Sequence, residues 1–172
     1  MIETKKEVKL RELGLSDISQ LAKLANNKNI WINLRDAFPY PYGEGNAEFF
    51  INRVKEEKPK QNFGIEYNGD LCGVIGLIIQ KDVYSKSAEI GYWIGESFWG
   101  KGIATKAIEL ITDYGFEDLK LIRIYAGVFE FNTASMKALE KNGYKKEGIS
   151  RKALIKNDKV LDEHRYFKLN EL

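Results

Sequence analysis

The chain has 172 residues, a length suited to one domain (1–172) with its own core. Lysine plus arginine (27) nearly balance aspartate plus glutamate (25), for a net charge of +2, and no block of about five like charges occurs; this removes the electrostatic case for a nucleic-acid partner. One cysteine, Cys72, excludes a disulfide framework within the chain, and one histidine, His164, excludes a His/Cys zinc cluster, so no metal is expected.

Charged residues dominate positions 3 to 11, without a signal-peptide pattern, and no apolar run approaches about 18 residues; a cytoplasmic protein with no membrane partner is expected. Val8 to Leu13 alternates as a strand does. Ser16-Asp17 offers an N-cap to a helix whose apolar positions are Ile18, Leu21, Leu24 and Ala25. Positions 31–46 read as a proline- and aromatic-rich loop. Trp31, Phe38 and Tyr40 are candidates for a substrate-binding lip, the alternative being aromatics that cap the core. Ala47 to Glu57 reads as a second helix, ended by Pro59.

Asn62 to Tyr67 and Leu71 to Gln80 are apolar strands joined by Asn68-Gly69-Asp70, a strong hairpin signal. Gly73 and Gly76 inside the second strand suggest bulging or close packing, and Cys72 beside them reads as a small core residue. Lys86 to Ile94 is a third strand. Ile103 to Phe116 is a helix with one apolar stripe, and Leu121 to Val128 is a strand. Asn132 to Asn142 is a short helix with Asn132 as N-cap and Gly143 just past its end. Tyr144 to Ile149 and Val160 to Leu169 close the chain as strands. The order β-α-α-β-β-β-α-β-α-β-β describes an α/β protein with a mixed sheet.

The most informative stretch is Phe98-Trp99-Gly100-Lys101-Gly102-Ile103-Ala104-Thr105, between a strand and a helix. Glycines there let backbone N–H groups approach a phosphate, and the helix N-terminus adds positive potential. Gly95 to Gly102 nearly matches a P-loop, but Gly102 stands where a Ser or Thr hydroxyl must hold Mg²⁺. A dinucleotide fingerprint fails as well, because Thr105 replaces the third glycine and too little chain follows Glu130 for a second half.

A third ligand is the pyrophosphate of coenzyme A. Trp99-Gly100-Lys101-Gly102-Ile103-Ala104 is similar to the Gln/Arg-x-x-Gly-x-Gly/Ala pattern of the GNAT superfamily of N-acetyltransferases, with Trp99 in the Gln/Arg place. That replacement is typical of the ribosomal-protein N-terminal (RimJ/RimL-type) branch. Ala88 to Ile94, Asn132 to Ser135, Lys141-Asn142-Gly143-Tyr144 and the loop Leu34 to Pro41 resemble the same branch, so the resemblance covers nearly the whole chain.

The resemblance implies a GNAT fold: a mostly antiparallel sheet of six to seven strands, flanking helices and splayed central strands. It implies acetyl-CoA as cosubstrate. The backbone of Gly100, Lys101, Gly102, Ile103, Ala104 and Thr105 would hold the pyrophosphate, and Trp93 and Ile94 would lie along the pantetheine arm, with an N–H near Ile94 polarising the thioester carbonyl. Asn132 would touch the arm as well as cap its helix. Many members carry a tyrosine acid where this chain has Leu139, so Ser135, the donor in the ribosomal branch, is the candidate for stabilising the leaving thiolate. Glu89 is the candidate base. The relatives' other acidic position matches Leu154, and Asp162 and Glu163 stay open as substitutes.

The branch suggests a protein N-terminal α-amine as acceptor. Rivals are a polyamine, an amino sugar or an antibiotic amine, and, from another class, a non-catalytic acetyl-CoA-binding regulatory domain. An α-amine (pKa near 7.8) costs about 1 kcal/mol to deprotonate at pH 7, a lysine amine about 4.6 kcal/mol, so one weak base suits the α-amine. Exposed strand edges in such folds point to a homodimer.

Overall fold

A computed structural model describes residues 7–171. Seven strands form one sheet in the order β1-β2-β3-β4-β5-β7-β6. They are β1 (Val8–Arg11), β2 (Asn62–Tyr67), β3 (Asp70–Ile79), β4 (Ser87–Ile94), β5 (Arg123–Phe129), β6 (Lys145–Lys156) and β7 (Lys159–Leu169). Every neighbouring pair is antiparallel except β4 and β5. The helices are α1 (Ile18–Ala25), a single turn α2 (Lys28–Trp31), α3 (Glu44–Lys55), α4 (Ile103–Glu117) and α5 (Thr133–Lys141).

Two cores lie on opposite faces of the sheet, as expected when each face must cover its apolar side. The larger packs Ile103, Ala107, Ile108 and Ile111 of α4 and Leu139 of α5 against Ile75, Leu77, Ile90 and Ile124. The smaller packs Leu21 and Ala25 of α1 and Ala47, Ile51 and Val54 of α3 against Leu71 and Val74. Alternation along β3 and β4 thus feeds successive side chains to different cores.

Most expected elements form. The Asn68-Gly69 turn has both residues at positive φ (51° and 92°), the backbone a two-residue hairpin requires. A side chain at Gly73 would run into the Trp93 carbonyl, so close packing explains that glycine. Cys72 is fully buried; its thiol donates to the Ile65 carbonyl at 3.3 Å, and burial pushes its pKa up to about 12, as suits a core residue.

Three expectations are corrected. Asp17 stands at the N-cap position of α1 but its side chain makes no capping bond: its carboxylate accepts a bidentate pair from Arg11 (2.9 Å each) and the Gly14 N–H. The 31–46 loop is shorter than expected: Trp31 ends the helical turn α2, and α3 begins three residues before the expected Ala47. β6 extends to Lys156 and turns through Asn157-Asp158, both at positive φ. An irregularity between Ser150 and Leu154 interrupts the alternation that marks a strand in sequence, which hid the extension.

Candidate active site

β4 and β5 pair over three residues only, Ser87 with Arg123, Ala88 with Ile124 and Glu89 with Tyr125. Beyond Glu89 they diverge. A cleft of about 750 Å³ opens between the remainder of β4, the remainder of β5, the glycine loop and α5. The splay places an unpaired strand edge inside the molecule, next to a helix N-terminus.

Gly95 N–H donates to the Cys72 carbonyl at 2.7 Å, so Gly95 faces β3. Backbone alternation then turns the N–H and C=O of Tyr92 and Ile94 toward the cleft. The Ile94 carbonyl accepts the indole N–H of Trp99 at 2.8 Å. This bond gives Trp99, 47% exposed, a structural task at the end of β4 while its ring lines the cleft.

Gly100 and Gly102 both sit at φ +74°, and Gly102 is the N-cap of α4. Nothing lies within 4 Å of a Cβ built on either, so these glycines serve the left-handed backbone and leave the space above it open. The first bond of α4 runs from Lys106 N–H to the Gly102 carbonyl, so the amides of Ile103, Ala104 and Thr105 have no intrahelical acceptor. Lys101, Lys137 and Lys141 line the cleft, and among the described residues no carboxylate does. Open amides, helix polarity and lysines together suit an anionic, phosphate-bearing ligand. Neither Lys137 nor Lys141 was expected from the sequence to line the cleft, although their spacing of four on a helix that starts there was an available signal.

Asn132 Oδ1 accepts the Ser135 N–H at 3.3 Å, as the N-cap reading requires. The Ser135 hydroxyl is hydrogen-bonded to the phenol of Tyr92, and all three residues line the cleft. Tyr92 was not singled out in sequence; it and Ser135 stand 43 positions apart, and only the packing of α5 on β4 joins them. Burial pushes the Tyr92 pKa up to about 12. The expected absence of a tyrosine at position 139 leaves Leu139 fully buried in the larger core. Deeper in the same layer Tyr144, from the Asn-Gly-Tyr segment, pairs with Thr112 at 2.8 Å. Asn142 Nδ2 ties the end of α5 to the start of α4 through the Thr105 carbonyl (3.0 Å).

Glu89 lies at the fork but not in the cleft lining; its carboxylate is 2.6 Å from Arg35. Of the two open acidic positions, Asp162 is bound to Arg151 and the Lys152 N–H, whereas the Glu163 carboxylate packs over Gly127, which lines the cleft, and pairs with Arg165 at 2.9 Å. Trp31, Phe38 and Tyr40 are not in the main cleft either. They border a neighbouring depression with Asp36, Ile155 and Asp158, because Phe38 turns onto Trp93 (5.8 Å between ring centres) and Trp31 is covered by Lys156. The 31–46 neighbourhood reaches the cleft through Ile30, Asn33 and Leu34 instead. Among the described residues no helix is long and apolar enough to cross a membrane, and no cluster of three potential metal ligands occurs.

Comparison with known proteins matches this architecture. Residues 7–145 fit the model of the acetyltransferase (GNAT) domain. The probable N-acetyltransferase YjcK of Bacillus subtilis (strain 168) is 41% identical over 111 residues, which are 63% of this chain and 61% of the relative. The putative ribosomal N-acetyltransferase YdaF of the same organism is 40% identical over 94 residues, 55% of this chain and 51% of the relative. The matches thus span between half and two thirds of those two curated proteins. The crystal structure of spermidine N-acetyltransferase from Vibrio cholerae in complex with CoA and spermine superposes with a TM-score of 0.81 at 28% identity, covering 94% of this chain and 95% of the other.

Proposed function

Because the chain belongs to the acetyltransferase (GNAT) family, we propose that it transfers the acetyl group of acetyl-CoA to a primary amine, with the α-amine of a protein N-terminus as preferred acceptor. The observation that carries the transfer reading is the divergence of β4 from β5 after Glu89 and Tyr125, which leaves a free strand edge leading to the glycine loop. The amides of Gly100 to Thr105, with Lys101, hold the pyrophosphate. The pantetheine arm lies along Tyr92, Trp93 and Ile94 as an added strand, with Asn132 across the cleft. The Ile94 N–H is aimed at the thioester carbonyl oxygen and stabilises the negative charge that gathers there. The Ser135 hydroxyl donates to the leaving sulfur, and Glu89 accepts the amine proton through water.

The acceptor assignment rests on charge. Glu89 is paired with Arg35, Glu163 with Arg165 and Asp36 with Lys156, so these three carboxylates are neutralised within the protein. These three pairs leave a polycation no free charge at those carboxylates, whereas an α-amine near neutral pH needs only one weak base. The name of YdaF agrees with this choice. Spermidine is the second reading, favoured by the Vibrio cholerae structure.

The test is release of CoA thiol from acetyl-CoA with a lysine-free peptide, spermidine and an amino sugar as acceptors. The peptide should give the highest kcat/KM. Faster turnover of spermidine overturns the acceptor choice. Acetyl-CoA binding without turnover of any acceptor points to a regulatory domain and overturns the enzymatic reading.

A further inference from the structure

We infer that Tyr92 is a positioning residue for thiolate departure: its phenol donates to Ser135 Oγ and thereby turns the single Ser135 hydroxyl hydrogen into the cleft. The inference rests on the proposed role of Ser135. A serine hydroxyl has one hydrogen and several claimants for it, including a helix carbonyl one turn back and a neighbouring oxygen. In this chain Ser135 Oγ is hydrogen-bonded to the Tyr92 oxygen, which also stands 3.5 Å from the Ser135 carbonyl; the closer, hydroxyl contact works in two directions. If serine donates, its hydrogen points at the ring and away from any ligand. If tyrosine donates, the serine hydrogen is free for the sulfur.

Chemistry selects the second direction. A phenol is the stronger acid of the two and so the stronger donor. With its pKa pushed up to about 12 by burial, Tyr92 keeps its proton throughout the working range. A hydroxyl that accepts one hydrogen bond also donates the next more strongly. The backbone holds both ends: Asn132 caps α5 through the Ser135 N–H, and β4 carries Tyr92 opposite.

The proton count closes without ionising either hydroxyl. The acceptor nitrogen attacks the thioester carbon, the C–S electron pair goes to sulfur, and the proton lost by nitrogen finally neutralises the thiolate. Tyr92 and Ser135 only hold the hydrogen bond that spreads the developing charge on sulfur.

The experiment is a double-mutant cycle of Tyr92→Phe and Ser135→Ala with acetyl-CoA and the best acceptor of the panel. Tyr92→Phe should lower kcat about tenfold, the loss of one hydrogen bond, and leave the KM for acetyl-CoA within about twofold. The double variant should be no slower than Ser135→Ala alone, because both remove the same donation. Multiplying losses, or a Tyr92→Phe enzyme at the wild-type rate beside an impaired Ser135→Ala, overturns the inference and leaves the serine reading intact. Ser135→Ala at the wild-type rate overturns the serine reading and this inference with it.

Difluorotyrosine incorporated at position 92 gives a second readout that keeps the ring in place. It makes the phenol more acidic, so the alkaline fall in kcat should begin at a lower pH than in wild type, where burial pushes the Tyr92 phenol up to about 12. An unmoved profile refutes donation by Tyr92.

Discussion

Arg35 donates to the Glu89 carboxylate at 2.6 Å, joining the loop after α2 to the residue at which β4 and β5 part. The Glu89 side chain is 19% exposed, and Arg35 stands mostly in water. Arg35 therefore ties one oxygen of the candidate base at the fork. Glu89→Gln should lower kcat about a hundredfold at neutral pH with acetyl-CoA affinity unchanged. Melting temperature should barely move, since pairs this exposed contribute about 0–1 kcal/mol. Steady-state kinetics beside a binding titration check both; an unaffected kcat passes the role to Glu163, whose carboxylate lies over Gly127.

Local chemistry made much of this site legible. Asn132 as cap, Gly143 just past the helix end and the Asn68-Gly69 turn follow from rules acting within a few residues. The resemblance of the loop to a family motif supplied the ligand. What stayed hidden depends on packing between distant segments. Nothing near Tyr92 in sequence foretells Ser135, and nothing near Trp31 foretells that Lys156 will cover it. Aromatics in a loop mark a surface worth covering but do not say by what.

Gly102 carries a conformational requirement and no steric one, because a Cβ there meets nothing within 4 Å. Gly102→Ala should thus fold, at a cost of about 1–2 kcal/mol for the left-handed backbone. If the backbone relaxes to negative φ, the α4 amides rotate away from the pyrophosphate. Acetyl-CoA affinity should fall more than about tenfold, which corresponds to about 1.4 kcal/mol. Isothermal titration calorimetry on the folded variant decides; unchanged affinity would remove the pyrophosphate from this loop.

Asp17 gives a pH signature. Its pKa is held below the ordinary carboxylate value, chiefly by the hydrogen bonds from Arg11 and against the opposing effect of burial. A depressed folded pKa means that the unfolded chain takes up the proton first. The stabilisation is complete above about pH 3.9 and is lost as pH falls through the lower folded value. Asp17→Asn should cost about 2 kcal/mol at pH 7, the range for hydrogen bonds between charged groups. Urea unfolding of wild type and variant should converge as the pH drops below the ordinary carboxylate value. A gap that persists there would mean that the loss is packing, not charge.

Lys156 is only 2% exposed, with its ammonium 3.7 Å above the centre of the Trp31 ring and 2.8 Å from Asp36 Oδ1. It ends β6, so it fastens the tip of the β6–β7 hairpin to the segment that carries Arg35 and Phe38. A buried ammonium loses its hydration, and the ring face and one largely exposed carboxylate must replace it. Removing the charge removes the need along with the partners, so Lys156→Met should cost less than about 1 kcal/mol. Asp36→Asn leaves the charge on the ring alone. Trp31→Ala strips away the buried face and should be the most damaging, at about 3 kcal/mol. Urea unfolding of the three variants gives the order Trp31→Ala, then Asp36→Asn, then Lys156→Met. If Lys156→Met proves the worst, the ion pair rather than the aromatic face holds the hairpin down, and its melting should then be strongly salt-dependent.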